Sequence, residues 1–414
     1  MQSVGVDVRR LADLAEIQAR QVALQNRPKI YICHSGHEDD LTYTENVTEY
    51  LQGRGIECKI LELNSSGQRP ELQQCLDDQP VAVLGFNSQL DNSWLPTGSF
   101  LEAAASRKVP VIQWILDHPS ARWPEFNTST PINSRFLLNT KFGQQYFHQF
   151  CMPDALTDTI GGVGPSRRSR IDGLSRDSFM SRPIKCLIPI SLKRYGRTIA
   201  DTQAAIAALD SPLAAAVREA HASAMFDLMQ PLKVHLIAAL ERIHQAIPAR
   251  TFNFCFQLFE DLVQVSRRLK IFEVVRNYPV LIQSDESATA YFQGAVATFA
   301  ANVGMQSSMT RMQSSRSVLS VSPLNDLIHD RTMNGLNAGC VNISEDNLAH
   351  RAVFQHGKNA LLFRYEDDSL PECLDIVCNQ PERAYSIAMS GMALRDAVPF
   401  VNCSFHAILD LARR

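Results

Sequence analysis

Two stretches of this chain carry side chains whose types and spacing could do chemistry, and a third adds charge. In Trp114-Ile115-Leu116-Asp117-His118-Pro119 an apolar run ends in a carboxylate and an imidazole. A buried strand ending this way delivers both groups at its carboxyl edge, where open α/β sheets bind ligands. An imidazole titrates near neutrality, so His118 could take a proton from a hydroxyl, with Asp117 orienting it or serving as the base itself. The same residues also suit a turn capped by Asp117, with His118 packed before Pro119.

The second stretch, residues 317–347, reads as a strand, a polar loop, a helix starting near Asp330–Arg331 and closed by Gly339, and a strand ending in Ser344-Glu345-Asp346-Asn347. A helix start carries free N–H groups and the positive end of the dipole. With Arg331 beside them they form an anion site suited to a diphosphate. Gly335 and Gly339 sit on one face and admit a ligand or a strand closely. A plain helix with Arg331 in a surface ion pair and Gly339 as its C-cap fits equally well. The third stretch, IPISLKRYGRT, follows a strand with the basic pair Lys193-Arg194, which also reads as a solvated turn.

Other segments carry weaker signals. The loop Cys33-His34-Ser35-Gly36-His37-Glu38-Asp39-Asp40 has two histidines and three carboxylates, yet His34 and His37 flank a glycine in the manner of a polar loop. No D-x-D triplet occurs, so no bound metal is expected. Gly161-Gly162-Val163-Gly164 lacks the Lys-Ser/Thr and the helix of a phosphate loop and reads as a hinge. Phe252–Phe259 (FNFCFQLF) has aromatics on most helical faces, which indicates core.

These residues need elements to position them. Residues 7–26 have the apolar spacing of an amphipathic packing helix. From Lys29, apolar runs (KIYICHS, ECKILEL, VAVLGF, VPVIQWILDH, SRFLLNT) alternate with helical stretches. Such alternation implies a parallel sheet covered on both faces, a Rossmann-like unit. The Gly-, Ser- and Arg-rich residues 161–182 look like a linker. IKCLIPIS then opens a second α/β region, interrupted by helical periodicity over 199–276 with prolines at 212, 231 and 248. It resumes with YPVLIQS, a helix through Thr289–Ala301, SVLSVSP, CVNIS and NALLFRY, and a last helix covers Phe405–Arg414. The expected organisation is an N-terminal helix (1–27), a Rossmann-like domain (28–165), a linker (166–182), a second Rossmann-like domain (183–400) with a helical insertion at about 199–276, and a C-terminal helix (401–414). The two domains would face each other across a cleft.

A chain of 414 residues supports two or three such domains. Forty basic against forty-three acidic residues give a net charge of −3, which removes the positive field that nucleic-acid binding requires. Ten scattered cysteines without CxxC or zinc spacing fit a reducing compartment. The first residues lack a basic flank before an apolar core, and no apolar run spans a bilayer. A cytoplasmic protein with at most peripheral membrane contact is expected.

The run His329-Asp330-Arg331-Thr332-Met333-Asn334-Gly335-Leu336-Asn337-Ala338-Gly339, with Ser344–Asn347 after it, resembles the nucleotide-sugar-dependent glycosyltransferases of the two-Rossmann-domain GT-B fold, particularly the spore-maturation-like group. Their helix has the form R-x-x-(N/E)-(A/G)-(L/M)-x-x-G, and many relatives carry Glu where this chain has Asn334. His356-Gly357-Lys358-Asn359-Ala360-Leu361-Leu362-Phe363, Asn379–Arg383 and Gly391 are similar to the family's ending, so the likeness covers roughly residues 317–397. It implies a metal-independent hexosyltransferase without a cofactor, moving a sugar from a nucleotide-diphosphate sugar to a hydroxyl on a glycan, lipid, small molecule or protein. It further implies that His329, Arg331, Asn334, Gly335, Glu345, Asp346 and Asn347 bind the donor. Lys193 or Arg194 would assist the leaving diphosphate, and Asp117 or His118 in the acceptor domain would be the base of an inverting displacement. A noncatalytic nucleotide-sugar or glycan-binding protein, or an epimerase, would share this architecture.

Overall fold

The structure is a computed structural model that describes residues 27–63, 70–87, 89–90, 93–95, 98–126, 134–161, 166–192, 197–243, 247–322, 327–397 and 405–414. The helix expected over 7–26, residues Gly162–Gly164, Lys193 and Arg194 lie outside the described residues.

In the first domain β1 (Lys29–His34), β2 (Glu57–Glu62), β3 (Ala82–Phe86), β6 (Val111–Ile115), β7 (Ser134–Leu138) and β8 (Leu156–Thr159) form one sheet in the order β2-β1-β3-β6-β7-β8, with β4 (Trp94–Leu95) and β5 (Gly98–Ser99) as a separate hairpin. Every pairing in the six-stranded sheet is parallel. Helices α1 (Glu38–Gln52), α2 (Pro70–Asp77), α3 (Phe100–Ser106), α4 (Pro119–Phe126) and α5 (Lys141–Phe150) make the connections. Strands β3 and β6 are buried at every position, which is why AVLGF and VIQWI read as unbroken apolar runs.

The segment joining the domains has a short 3₁₀ turn and α6 (Arg176–Met180), and it buries Leu174 and Phe179 in the second core. That second sheet contains β9 (Ile184–Pro189), β10 (Leu281–Ser284), β11 (Thr298–Ala301), β12 (Ser315–Ser320), β13 (Val341–Glu345) and β14 (Leu361–Phe363) in the order β11-β10-β9-β12-β13-β14, again all parallel. Both sheets have the doubly wound arrangement, so each presents its strand carboxyl ends on one side.

Between β9 and β10 lie α7 (Ile199–Ala207), α8 (Ser211–Ala224), α9 (Leu232–Arg242) and α10 (Ala249–Val275). Pro212 sits in the first turn of α8, and Pro231 and Pro248 are the N-cap residues of α9 and α10. The prolines therefore start these helices, where a missing N–H costs nothing. Although it belongs in sequence to the second half, α10 packs on the first domain: Phe150 stacks on Phe252 at 4.0 Å, and the Tyr146 hydroxyl donates to Asn253 Oδ1 at 2.7 Å.

The remaining helices are α11 (Met305–Gln313), α12 (Asp330–Asn337), α13 (Leu348–Val353), α14 (Ser369–Asn379), α15 (Pro381–Ala397) and α16 (His406–Arg413). The helix expected over Thr289–Ala301 is instead a 3₁₀ turn followed by β11, because Gly294 at φ +69° ends the turn and Thr298–Ala301 pairs with β10. Strand β8 and helix α11 were not apparent in the sequence pattern. Helix α16 returns the chain to the first domain, where Phe405, Ile408 and Leu411 join Ile30 and Trp114 in one core. No helix of the described residues is long and apolar enough to cross a membrane.

Candidate active site

The carboxyl edges of the two sheets enclose a cleft of about 850 Å³. On the first-domain side the backbone leaving β6 is held at Leu116, whose N–H donates to Asn87 Oδ1 at 2.8 Å and whose carbonyl accepts from Asn139 Nδ2 at 2.6 Å. Asn139 in turn accepts from Trp114 Nε1 at 2.9 Å. Asn87 follows β3 and has a positive φ of 45°, which asparagine tolerates better than most residues. These bonds fix the peptide before Asp117, and the Asp117 carboxylate lines the cleft with Arg122 Nη2 at 3.4 Å.

His118 is placed differently. Its ring is buried between Tyr146, edge-on at 4.5 Å, and Phe256, stacked at 4.9 Å. Its Nδ1 shares a hydrogen bond with Ser120 Oγ at 2.8 Å, and that hydroxyl donates to Glu260 of α10 at 3.4 Å. It thus lies in the seam between α4, α5 and α10, outside the residues that line the cleft.

The opposite wall uses the loop after β12 and the start of α12. Ser322 N–H donates to Glu345 Oε2 at 3.1 Å and Ser322 Oγ to the Leu327 carbonyl at 2.6 Å, which carries Leu327–Arg331 to the cleft. His329 is the N-cap of α12, its Nδ1 accepting from Arg331 N–H at 3.1 Å, while Asp330 Oδ1 accepts from the same N–H at 2.8 Å and contacts the His329 ring. The N–H groups of Thr332 and Met333 bond the His329 carbonyl. The helix start expected to offer free amides is therefore already capped, and what it presents to the cleft is the Arg331 side chain. Arg331 lines the cleft and makes no salt bridge to a described residue. Burial alone would raise the Asp330 carboxyl, but the adjoining His329 ring and Arg331 hold it below the usual carboxylate range.

The other residues implied as donor ligands have partners within the protein. Asn334 reaches the cleft, and its Oδ1 accepts from Ser166 N–H at 2.8 Å and Ser169 Oγ at 2.9 Å, joining α12 to the interdomain segment. Gly335 faces β13, where an added Cβ would stand 2.5 Å from Asn342 Oδ1. Glu345 is fully buried and accepts from Tyr365 at 2.6 Å as well as from Ser322, with Arg267 Nη1 4.0 Å away. Its burial raises the carboxyl against the pull of Arg267. Asp346 is bonded by Arg351 and Arg364, and Asn347 caps α13 by accepting from His350 N–H at 2.9 Å.

Asp40, from the polar loop noted in the sequence, reaches the cleft, as do residues that the sequence did not single out: Gln89 and Arg122 on one side, Gln283 and Ser308 on the other. Gln89 alone stands in a loop directly after a strand, and the other four lie within helices or, for Gln283, within β10, so no local pattern marks them as a set. Among the described residues no group of three or more His, Cys, Asp or Glu side chains could hold a metal ion.

No protein-family model and no curated protein matches the chain. Solved structures do resemble it. HepE of Anabaena, solved in complex with UDP-glucose, superposes with a TM-score of 0.54 at 10% identity over 92% of this chain and 99% of its own. A DNA-modifying β-glucosyltransferase, solved with and without uridine diphosphoglucose, gives 0.52 at 8% identity over 93% and 100%. Sucrose-phosphate synthase from Thermosynechococcus elongatus gives 0.50 at 9% identity over 94% and 98%. At such identities the likeness establishes the fold: this is a GT-B-like α/β protein built from two six-stranded, Rossmann-like parallel sheets.

Proposed function

We propose that the protein is a glycosyltransferase that moves a sugar from a nucleotide-diphosphate sugar to a hydroxyl-bearing acceptor without a metal ion, in line with the group that its His329–Gly339 motif resembles. One observation carries the reading: a single cleft holds a carboxylate from one sheet, Asp117, and a guanidinium from the other, Arg331. Asp117 takes the proton of the acceptor hydroxyl as its oxygen bonds to the anomeric carbon of the donor. The bond from that carbon to the diphosphate breaks, and the charge developing on the leaving group is met by Arg331. Inversion at the anomeric carbon follows from this single displacement. Crystal structures of similarly folded proteins with UDP-glucose support a nucleotide-sugar ligand in such a cleft.

The test is a thermal-shift series with UDP, GDP, CDP and TDP, followed by nucleoside diphosphate release from the donor of the nucleotide that binds. A selective shift with acceptor-dependent release is expected. A shift without release would mean a binding protein, and conversion of the donor without an acceptor would mean an epimerase. No shift with any nucleotide would remove the reading.

A further inference from the structure

Asn334 and Asn337, about one turn apart on α12, hold one residue of the interdomain segment from both sides. Asn334 Oδ1 accepts from Ser166 N–H at 2.8 Å, and Asn337 Nδ2 donates to the Ser166 carbonyl at 3.0 Å. Ser169 Oγ stands 2.9 Å from Asn334 Oδ1 and 2.6 Å from the Ser166 carbonyl and closes the group. The four side chains are at most 4% exposed. Further along, the Arg168 carbonyl accepts from Gln313 Nε2 of α11 at 3.0 Å, Ile171 N–H donates to the Asn337 carbonyl at 3.0 Å, and Arg395 of α15 donates to the Ile171 carbonyl at 3.1 Å. Connecting segments usually run over the surface with their backbone groups in water. This one has backbone groups at 166, 168 and 171 bound to the second domain. It also reaches the first domain, where the Arg168 guanidinium pairs with Glu45 of α1.

We infer that Asn334 is a positioning residue rather than a donor ligand: with Asn337 it bolts the interdomain segment to α12, and so fixes where the first domain stands relative to the helix that carries Arg331. The amide has a single acceptor oxygen, and that oxygen faces Ser166 and Ser169, neither of which lines the cleft. Polar groups buried this deeply are costly to leave unmade, which makes the clamp stiffer than an exposed linker. Helix α12 thereby has two jobs along its length. Its start carries His329 and Arg331 to the cleft, and its later residues grip the chain on its way from the first domain. The domains also meet where α10 packs on α5, through Phe252 on Phe150 and Asn253 on Tyr146. With the clamp open, the first domain is free to swing about that seam and Asp117 swings with it. The consequence for transfer rests on the reading of the cleft as a glycosyltransferase site, in which small misplacements of a base are costly.

Three variants of the full chain test this: Asn334→Ala and, outside the cleft, Ser169→Ala and Asn337→Leu. Hydrogen exchange followed by mass spectrometry should quicken by about ten-fold over residues 166–171 in each, the effect of losing one good hydrogen bond. Nucleoside diphosphate affinity, measured by calorimetry with UDP, GDP, CDP and TDP, should stay within about two-fold of wild type in all three. Release of nucleoside diphosphate from the matching nucleotide sugar, with water as the acceptor, should slow by about ten-fold. Wild-type exchange in every variant, or quickened exchange with wild-type release, would overturn the positioning role. Weakened affinity in Asn334→Ala alone would return that residue to the donor. Ser169→Ala removes one hydroxyl only and keeps the test open where the larger changes disturb the fold. Exchange and affinity need no catalysis. A wild type that binds nucleotide and releases none therefore overturns the transferase reading, while those two measurements still decide whether Asn334 holds the segment or the donor.

Discussion

Asn139 donates to the carbonyl of Leu116 at 2.6 Å while its Oδ1 accepts from the buried indole of Trp114, so one side chain ties the end of β6 to the end of β7. Asp117 is the next residue, and its direction depends on that tie. Asn139→Leu should remove about 1–3 kcal/mol of stability, because Trp114 Nε1–H is left buried without an acceptor. Transfer should fall by about ten-fold or more through misplacement of the base, with nucleotide binding on the opposite wall retained. Urea unfolding, nucleotide titration and turnover measured on one preparation check all three. Unchanged turnover would show that Asp117 does not need this support.

Arg331 faces the cleft and makes no salt bridge to a described residue, although its charge, with the His329 ring, helps hold the adjoining Asp330 carboxyl down. Arg331→Ala should weaken nucleoside diphosphate binding by about 1.5–3 kcal/mol, the range for a charge-assisted phosphate contact. Stability in the absence of nucleotide should change by only about 0.5 kcal/mol. Calorimetric titration of wild type and variant decides it, and equal affinities would remove Arg331 from the donor site.

Acid should weaken the fold through His350. Its ring is fully buried, with Nδ1 on the Glu345 carbonyl at 2.9 Å, and burial pushes its pKa down from 6.5 to about 4. The unfolded chain therefore binds a proton that the folded chain refuses between those two values. Stability from this group is complete above pH 6.5 and is lost as pH falls toward 4, by about 3 kcal/mol in all. His350→Gln should flatten that window in denaturant unfolding curves, and a slope identical to wild type would rule out the histidine as its source.

Glu345 carries the opposite sign. Burial raises its carboxyl above the ordinary 4.5, with Arg267 and the bonds from Tyr365 and Ser322 pulling the other way. The stability that it contributes is complete below 4.5 and declines as pH rises through the raised folded value. Wild type should therefore exceed Glu345→Gln by more at pH 4.5 than near pH 8, in unfolding free energies measured at both. A pH-independent difference would show that Glu345 ionises alike in the folded and unfolded chain.

Asp117 was legible in the sequence because a polar pair ends an unbroken apolar run, and strands buried on both faces of a parallel sheet produce such runs. The same logic marked Glu345 at the end of β13. What it could not reveal is that α10, from the insertion, brings Arg267 against that carboxylate, since the pairing joins residues far apart in the chain. Gln89 was hidden for a related reason: its contact with Asp40, which the sequence marked only as part of a polar loop, exists because β1 and β3 are neighbours in the sheet, a strand order that no local pattern records. The capped start of α12 was hidden more locally. His329 and Asp330 spend on the Arg331 amide the polar atoms that the sequence alone would leave for a ligand.

Gly335 shows how close α12 lies to the sheet that it covers. A Cβ there would sit 2.5 Å from Asn342 Oδ1 and 3.6 Å from the Val318 Cβ. Asn342 cannot yield easily: it is fully buried, and its Nδ2 donates to the Thr332 carbonyl at 3.0 Å. Ala favours helix over Gly by about 1 kcal/mol, so a site with room would gain from Gly335→Ala. Here the clash dominates, and the variant should lose about 1–3 kcal/mol, the usual cost of overpacking. Asn342→Ala removes the obstructing oxygen together with the bond to Thr332. Combined with Gly335→Ala, it should cost less than the sum of the two single changes, as contacting residues do in a double-mutant cycle. Additive losses in unfolding free energy would mean that the helix moves away from β13 to admit the methyl group, and His329 and Arg331 would then shift with it at the cleft.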